Sequence, residues 1–266
     1  MRKPKRTSHR ATSSPAPTKT SPAAGQLPSD DLPSWHITPM GCLWASAVLI
    51  GLAIIALPFD VSLANWVRQN HIRGDLERLI TLCEVFGYGL SVLFIAITAA
   101  AIDKRGWRVM PRILIGAFAS GLIADAGKVL VARWRPNSDF EPQGFRDSFV
   151  RWLPVLSLDE LPGPWNRGMQ SFPSGHSATA VGLALALSIF YPKGTWWFLV
   201  LAGLAMFQRI ESRAHYLSDT LAGAAVACLV TALLLHSRWL ERWLRDVENG
   251  RILGNSSPEG SSGRAN

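Results

Sequence analysis

Residues 217–236 read LSDTLAGAAVACLVTALLLH, a run of twenty with one formal charge, Asp219, near its start. At 1.5 Å of rise per residue, about 20 mainly apolar residues cross the hydrocarbon of a bilayer. Working outward, similar runs lie near 39–59, 84–103, 110–132, 175–191 and 195–212. The runs at 39–59, 84–103 and 217–236 are clear, and Asp125 and Lys128 interrupt the third. The fourth and fifth are short and joined by the turn Tyr191-Pro192-Lys193-Gly194. The pattern predicts an all-α fold, a bundle of six transmembrane helices. So many near-threshold runs are hard to bury in one small soluble domain.

Three regions organise the chain. Residues 1–38 are rich in Ser, Thr, Pro and Ala, begin with Arg2, Lys3, Lys5, Arg6 and Arg10, and read as a disordered basic tail. The apolar run starts too far in, with no small-residue cleavage site after it, for a signal peptide. Residues 39–245 form the six-span domain, and 246–266 a flexible C-terminal tail. Cys42, Cys83 and Cys228 are widely separated and form no metal-binding spacing, so they read as packing residues, and no metal site or cofactor is expected. The net charge of +8 is spread over the tail and short loops, with no basic face carrying interleaved aromatics, which argues against nucleic acid.

Lys and Arg in short loops set orientation. The tail, Lys104, Arg105, Arg108 and Arg112 after the second span, Lys193 after the fourth, and Arg238, Arg242 and Arg245 after the sixth all fall on one side. That side is expected to be cytoplasmic, with both termini, in the inner membrane of a bacterium. The loop between the first two spans mixes Arg68, Arg73 and Arg78 with Asp60, Asp75, Glu77 and Glu84, as expected outside. Trp35, Trp44, Trp66, Trp107, Trp196, Trp197, Trp239 and Trp243 fall near span ends, as in an aromatic belt. Gly116 and Ser120-Gly121 read as small residues for close helix packing.

Three polar runs then stand out, because ionisable groups are costly in lipid. Lys128 and Arg135-Pro136 close the third span, Pro173-Ser174-Gly175-His176 opens the fourth, and Arg209, His215 and Asp219 lie between the fifth and sixth. The topology puts all three on the exoplasmic side. On a continuing helix, Lys128 and Arg135 would lie two turns apart on one face until Pro136 stops it. Asp125, three residues before Lys128, is its expected ion-pair partner. Ser174 is a good N-cap, and Gly175 lets backbone approach an anion at a helix N-terminus. His176 in the first turn can donate a proton. His215 and Asp219, four apart, share a helical face, so the carboxylate can fix the imidazole tautomer. Two imidazoles with cations around an anion suit phosphoryl transfer, which depends on positioning and charge stabilisation.

The ordered set Lys128-x6-Arg135-Pro136, Pro173-Ser174-Gly175-His176 and Arg209-x5-His215-x3-Asp219 resembles the signature of the type 2 phosphatidic acid phosphatase superfamily, also called the acid phosphatase/vanadium haloperoxidase superfamily. The similarity covers roughly residues 110–225 and points to its integral-membrane lipid phosphatase branch. It implies six spans, a metal-free mechanism and an exoplasmic site acting on a lipid phosphate. His215 would be the nucleophile that becomes phosphohistidine, Asp219 would orient it, and His176 would be the general acid. Lys128, Arg135, Ser174, Gly175 and Arg209 would hold phosphate, with Asp125, Arg133 and Arg213 as supporting candidates. The family often has Ser before the third-motif arginine, where this chain has Gln208. Ser212-Arg213 mimics that pair but lies too close to His215. Phosphatidate, phosphatidylglycerol phosphate, undecaprenyl pyrophosphate and lipid A phosphates all fit such a pocket. A lipid phosphotransferase, a vanadate-dependent haloperoxidase and a non-catalytic scaffold are the alternatives. In the loop 137–172, Phe145, Phe149 and Trp152 repeat at helical spacing, which predicts a short interfacial helix forming a lip for lipid entry, with Trp165 nearby.

Overall fold

Thr38 opens the first helix: its hydroxyl accepts from the Gly41 amide at 3.0 Å, and Pro39 follows at the first helical position. A computed structural model describes residues 37–153 and 167–251. Most of the expected basic tail, the end of the C-terminal tail and Trp165 lie outside the described residues. Helix α1 (Pro39–Ala56) runs through a short 3-10 turn into α2 (Asp60–Gln69). Then come α3 (Asp75–Cys83), a 3-10 turn at Glu84–Gly87, α4 (Gly89–Ile102) and α5 (Met110–Gly127). A two-stranded antiparallel sheet, β1 (Val131–Arg133) and β2 (Phe149–Trp152), holds the one-turn α6 (Phe145–Ser148) between its strands. The chain continues as α7 (Gly175–Phe190), α8 (Thr195–Glu211), α9 (Leu217–His236) and α10 (Arg238–Glu248).

The described residues are mostly helical. Pro39–Gln69, Gly106–Gly127 and Leu217–His236 are long and apolar enough to cross a membrane. The pair Asp75–Gly87 and Gly89–Ile102, bent by 74°, is a fourth candidate. Outward-facing Val48, Ile54 and Ile55 on α1, Phe94 on α4, Leu122 and Ile123 on α5 and Leu233 on α9 give a surface as apolar as the core, as a bilayer demands.

Helix α7 is the hub. Fourteen of its sixteen residues are buried, and it packs against α5, α8 and α9, while α1 packs on α9. Small residues allow the close α5–α7 crossing: a Cβ at Gly182 would sit 2.6 Å from Ser120 Oγ, and one at Gly116 would sit 2.9 Å from the Ala186 methyl. At the far end of α5, buried Arg112 pairs with Glu241 at 2.8 Å and Glu248 at 2.5 Å, tying α10 down. The last helix thus runs three residues past the expected domain edge at 245.

Two local expectations need correction. Helix α5 stops at Gly127, and Arg133 lies in a strand, so Lys128 and Arg135 are not two turns apart on one helix. The β-branched and apolar run Val129-Leu130-Val131-Ala132 favours extended backbone, and β2 supplies a partner. The predicted interfacial helix is likewise one turn followed by a strand. Phe149 packs its ring over the Arg133 guanidinium at 4.5 Å and stacks on Trp152 at 6.0 Å, so it covers a buried charge rather than lining a lip.

Candidate active site

The turn before α4, the end of α5, Arg135 just past β1, the start of α7, the end of α8 and the α8–α9 turn converge on a cavity of about 310 Å³. Lys128, the C-cap of α5, points its amine at Asp125 Oδ1, 2.6 Å away, as its spacing predicts. Past β1, Arg135 is fixed by its amide, which donates to the Gly168 carbonyl at 2.8 Å. Its side chain reaches the Gln170 carbonyl at 3.4 Å, and its buried Nε has no partner. Burial, followed by the nearby Arg209 charge, lowers its pKa.

Ser174 caps α7 by accepting from the Ser177 amide at 3.3 Å, and its own amide donates to the Asp219 carbonyl at 3.0 Å. That bond ties the start of α7 to the start of α9. The helix-opening amides of Gly175 and His176 have no acceptor within the helix. Gly175 lies against Asp125, so closely that any Cβ would collide with that carboxylate. His176 is over a third exposed, and its Nε2 lies 3.8 Å from Glu84 Oε1.

Arg209 sits in the last turn of α8. One edge of its guanidinium pairs with Glu84 Oε1 at 2.9 Å, while its buried Nε has no partner. The helix then closes in a Schellman motif: the Ala214 amide bonds the Arg209 carbonyl at 3.1 Å and the Arg213 amide bonds the Ile210 carbonyl at 2.9 Å. Arg213 takes the left-handed position at φ 55°, usually held by glycine, and turns the chain into His215. Arg213 is therefore a backbone corner, whereas Arg209 lines the cavity.

His215 is almost wholly buried, with one face on the cavity. Its Nδ1 lies 2.7 Å from the Ser171 carbonyl. A carbonyl only accepts, so Nδ1 carries the proton and Nε2 keeps a lone pair. Burial pushes the imidazole below the ordinary histidine range, against the pull of Asp219, so the ring is neutral at neutral pH. The expected direct bond to Asp219 is replaced: Asp219 Oδ2 is 3.9 Å away and instead accepts from Ser171 Oγ at 2.6 Å and the Tyr216 amide at 2.9 Å. Asp219 thus acts on His215 through Ser171 and through its field.

Behind His215 lies a buried charge cluster. Arg133 donates to Ser148 Oγ at 3.1 Å, Ser218 Oγ at 2.7 Å, Asp60 Oδ2 at 2.7 Å and Asp219 Oδ1, and its guanidinium also lies 4.2 Å from the Tyr216 ring centroid. Asp60 accepts from the Ser218 amide at 3.1 Å and from its hydroxyl. Arg133, Asp60 and Asp219 are all fully buried.

Of the expected residues, Lys128, Arg135, Gly175, His176, Arg209 and His215 line the cavity, as does Asp125. Ser174 and Asp219 stand behind the wall, and Arg133 one layer further back. Asp60, Ser171 and Glu84 were missed as site residues. Asp60 had a signal: a carboxylate ending an apolar run on the side of the three polar runs. Tyr88, Phe118 and Leu122 form an apolar wall, and a second cavity of about 480 Å³ shares Asp125 and Lys128 and adds Val129, Arg167 and Gln170. Among the described residues, no group of three or more His, Cys, Asp or Glu side chains could hold a metal.

A lipid A 1-phosphatase from Rhizobium etli is 26% identical over 215 residues, covering 72% of this chain and 84% of that protein. No solved structure matches. The family model described as the PAP2 superfamily matches residues 111–243, half of the chain, including all three polar runs and every cavity-lining cation. The chain belongs to the PAP2 superfamily.

Proposed function

We propose that the protein is an integral-membrane lipid phosphate phosphatase that works through a phosphohistidine without a metal. The observation that carries this reading is the pairing, across one cavity, of a neutral His215 with a free Nε2 and an accessible His176, among three cations of which two hold an unpartnered buried Nε. His215 Nε2 attacks phosphorus while Lys128, Arg135, Arg209 and the α7 amides spread the charge of the phosphoryl oxygens. The bond from phosphorus to the leaving oxygen breaks, and His176 gives that oxygen its proton. Water then attacks the phosphohistidine and passes a proton to neutral His176, which releases phosphate and restores both rings. Ser171 and Asp219 stabilise the positive charge on His215 between the two steps.

In this reading α1, α4, α5, α7, α8 and α9 make six crossings, the termini are cytoplasmic and the cavity faces the exoplasmic side. The basic loops on the opposite side support that orientation. The wall of Tyr88, Phe118 and Leu122 supports a lipid substrate, with chains leaving toward the apolar surface around Leu122. The name of the Rhizobium relative puts a phosphomonoester of lipid A first among the candidates.

Phosphate release by the full chain in detergent, across phosphatidate, phosphatidylglycerol phosphate, undecaprenyl pyrophosphate and lipid A, tests the proposal. Turnover of at least one lipid in excess EDTA is expected, with lipid A first. No release from any of them, or release only with an added divalent ion, would overturn it.

A further inference from the structure

Glu84 opens the 3-10 turn between α3 and α4, and in sequence it is one of several mixed charges between the first two spans. In the fold it stands beside the cavity, against two of the residues that line it. Its Oε1 lies 2.9 Å from Arg209 Nη1 and 3.8 Å from His176 Nε2, and its Oε2 accepts from Gln208 Nε2 at 3.2 Å. The turn is set against α7 without slack: a Cβ at Gly87 would lie 2.7 Å from the His176 carbonyl oxygen. Glu84 is therefore delivered to His176 by backbone packing.

We infer that Glu84 is a positioning residue of this site, fixing the Arg209 guanidinium by one edge and serving as counter-charge to the His176 imidazolium that protonates the leaving oxygen. The inference rests on the phosphatase reading above. His176 faces Lys128 and Asp125 from α5, Arg209 from α8, and His215 and Glu84 from the turns beside it. A proton on a ring among these cations is costly unless a carboxylate stands by. Asp125, the carboxylate lining the cavity, is paired with Lys128 at 2.6 Å. Glu84 approaches His176 directly and holds Arg209 by Nη1, leaving the unpartnered Nε for a phosphoryl oxygen.

A purely structural Glu84 would affect all substrates alike, whereas an acid-supporting one discriminates by leaving group. The test compares kcat/KM of wild type and Glu84→Gln, as full chains in detergent, on an alkyl phospholipid monoester and on p-nitrophenyl phosphate. The alkoxide leaves only with a proton, while the nitrophenolate leaves without one. Glu84→Gln should lower kcat/KM on the lipid at least about tenfold and on the aryl ester less than about threefold. If that variant does not fold, Glu84→Asp, one methylene short, should show the same asymmetry at smaller size. Equal losses, no loss, or a gain from unblocking Arg209 would overturn the inference alone. A wild type inactive on both esters would overturn the phosphatase reading and the inference together.

Discussion

Arg133 and Arg135 are separated by one residue and differ in what their guanidinium groups have left to bind. Every guanidinium nitrogen of Arg133 has a partner: two carboxylates, two serine hydroxyls and two aromatic faces surround it in a buried interior. Arg135 keeps a buried Nε without a partner, and so does Arg209 across the cavity. Unpaired buried donors are costly, and native structures keep few of them without a reason. In the proposed mechanism Arg133 braces the fold, and Arg135 and Arg209 meet the phosphate.

Substitution at the two positions should separate these roles. The largest effect is expected at Arg133. Arg133→Met strands Asp60 and Asp219 as buried carboxylates without a cation, which should cost about 3–5 kcal/mol of stability. Thermal unfolding in detergent would read this, and activity should fall in step with the folded fraction. Arg135→Gln should leave the melting temperature near wild type yet lower kcat/KM by roughly 10²–10³, the scale of losing one charged donor to a transition-state oxygen. An Arg135→Gln variant that melts early with little loss of catalysis would erase the distinction.

A smaller effect concerns pH. In the proposed mechanism His215 attacks as the neutral ring, and burial holds its pKa below the ordinary value, so neutrality survives further into acid than for a free histidine. As pH falls through that lowered pKa, kcat/KM should drop by up to about tenfold per unit, with its midpoint below about 6.5. An acid limb centred at or above that value would show His215 to be less desolvated than the structure has it.

What was readable in the chain divides along the same line. The long apolar runs announce α1, α4, α5 and α9, because twenty apolar residues are a local signal. The ordered polar motifs announce the cavity residues, because family spacing encodes which helix ends meet. Two things were not local. The β1–β2 pair interrupts a motif that reads as continuous helix, since strands of three and four residues carry little pattern of their own. Lys128 and Arg135 still meet at the cavity, by extended chain rather than by helical phase. The scaffold contacts join distant segments: Asp60 meets Ser218 across 158 positions and Glu84 meets Gln208 across 124. Glu84 reads as an ordinary loop charge, and the position of Asp60 at the end of an apolar run marks it as unusual without saying what lies opposite it. The Ser171 carbonyl, which sets the His215 tautomer, is a backbone group and invisible to any motif.

The most direct test is to trap the intermediate. Full-length protein is mixed with a lipid phosphate substrate, quenched in alkali within a turnover and analysed for phosphorylated residues by mass spectrometry. An alkali-stable, acid-labile phosphoryl group on His215, lost in His215→Ala, is the expected result. Continued turnover with His215 unmodified, or undiminished turnover by His215→Ala, would contradict it.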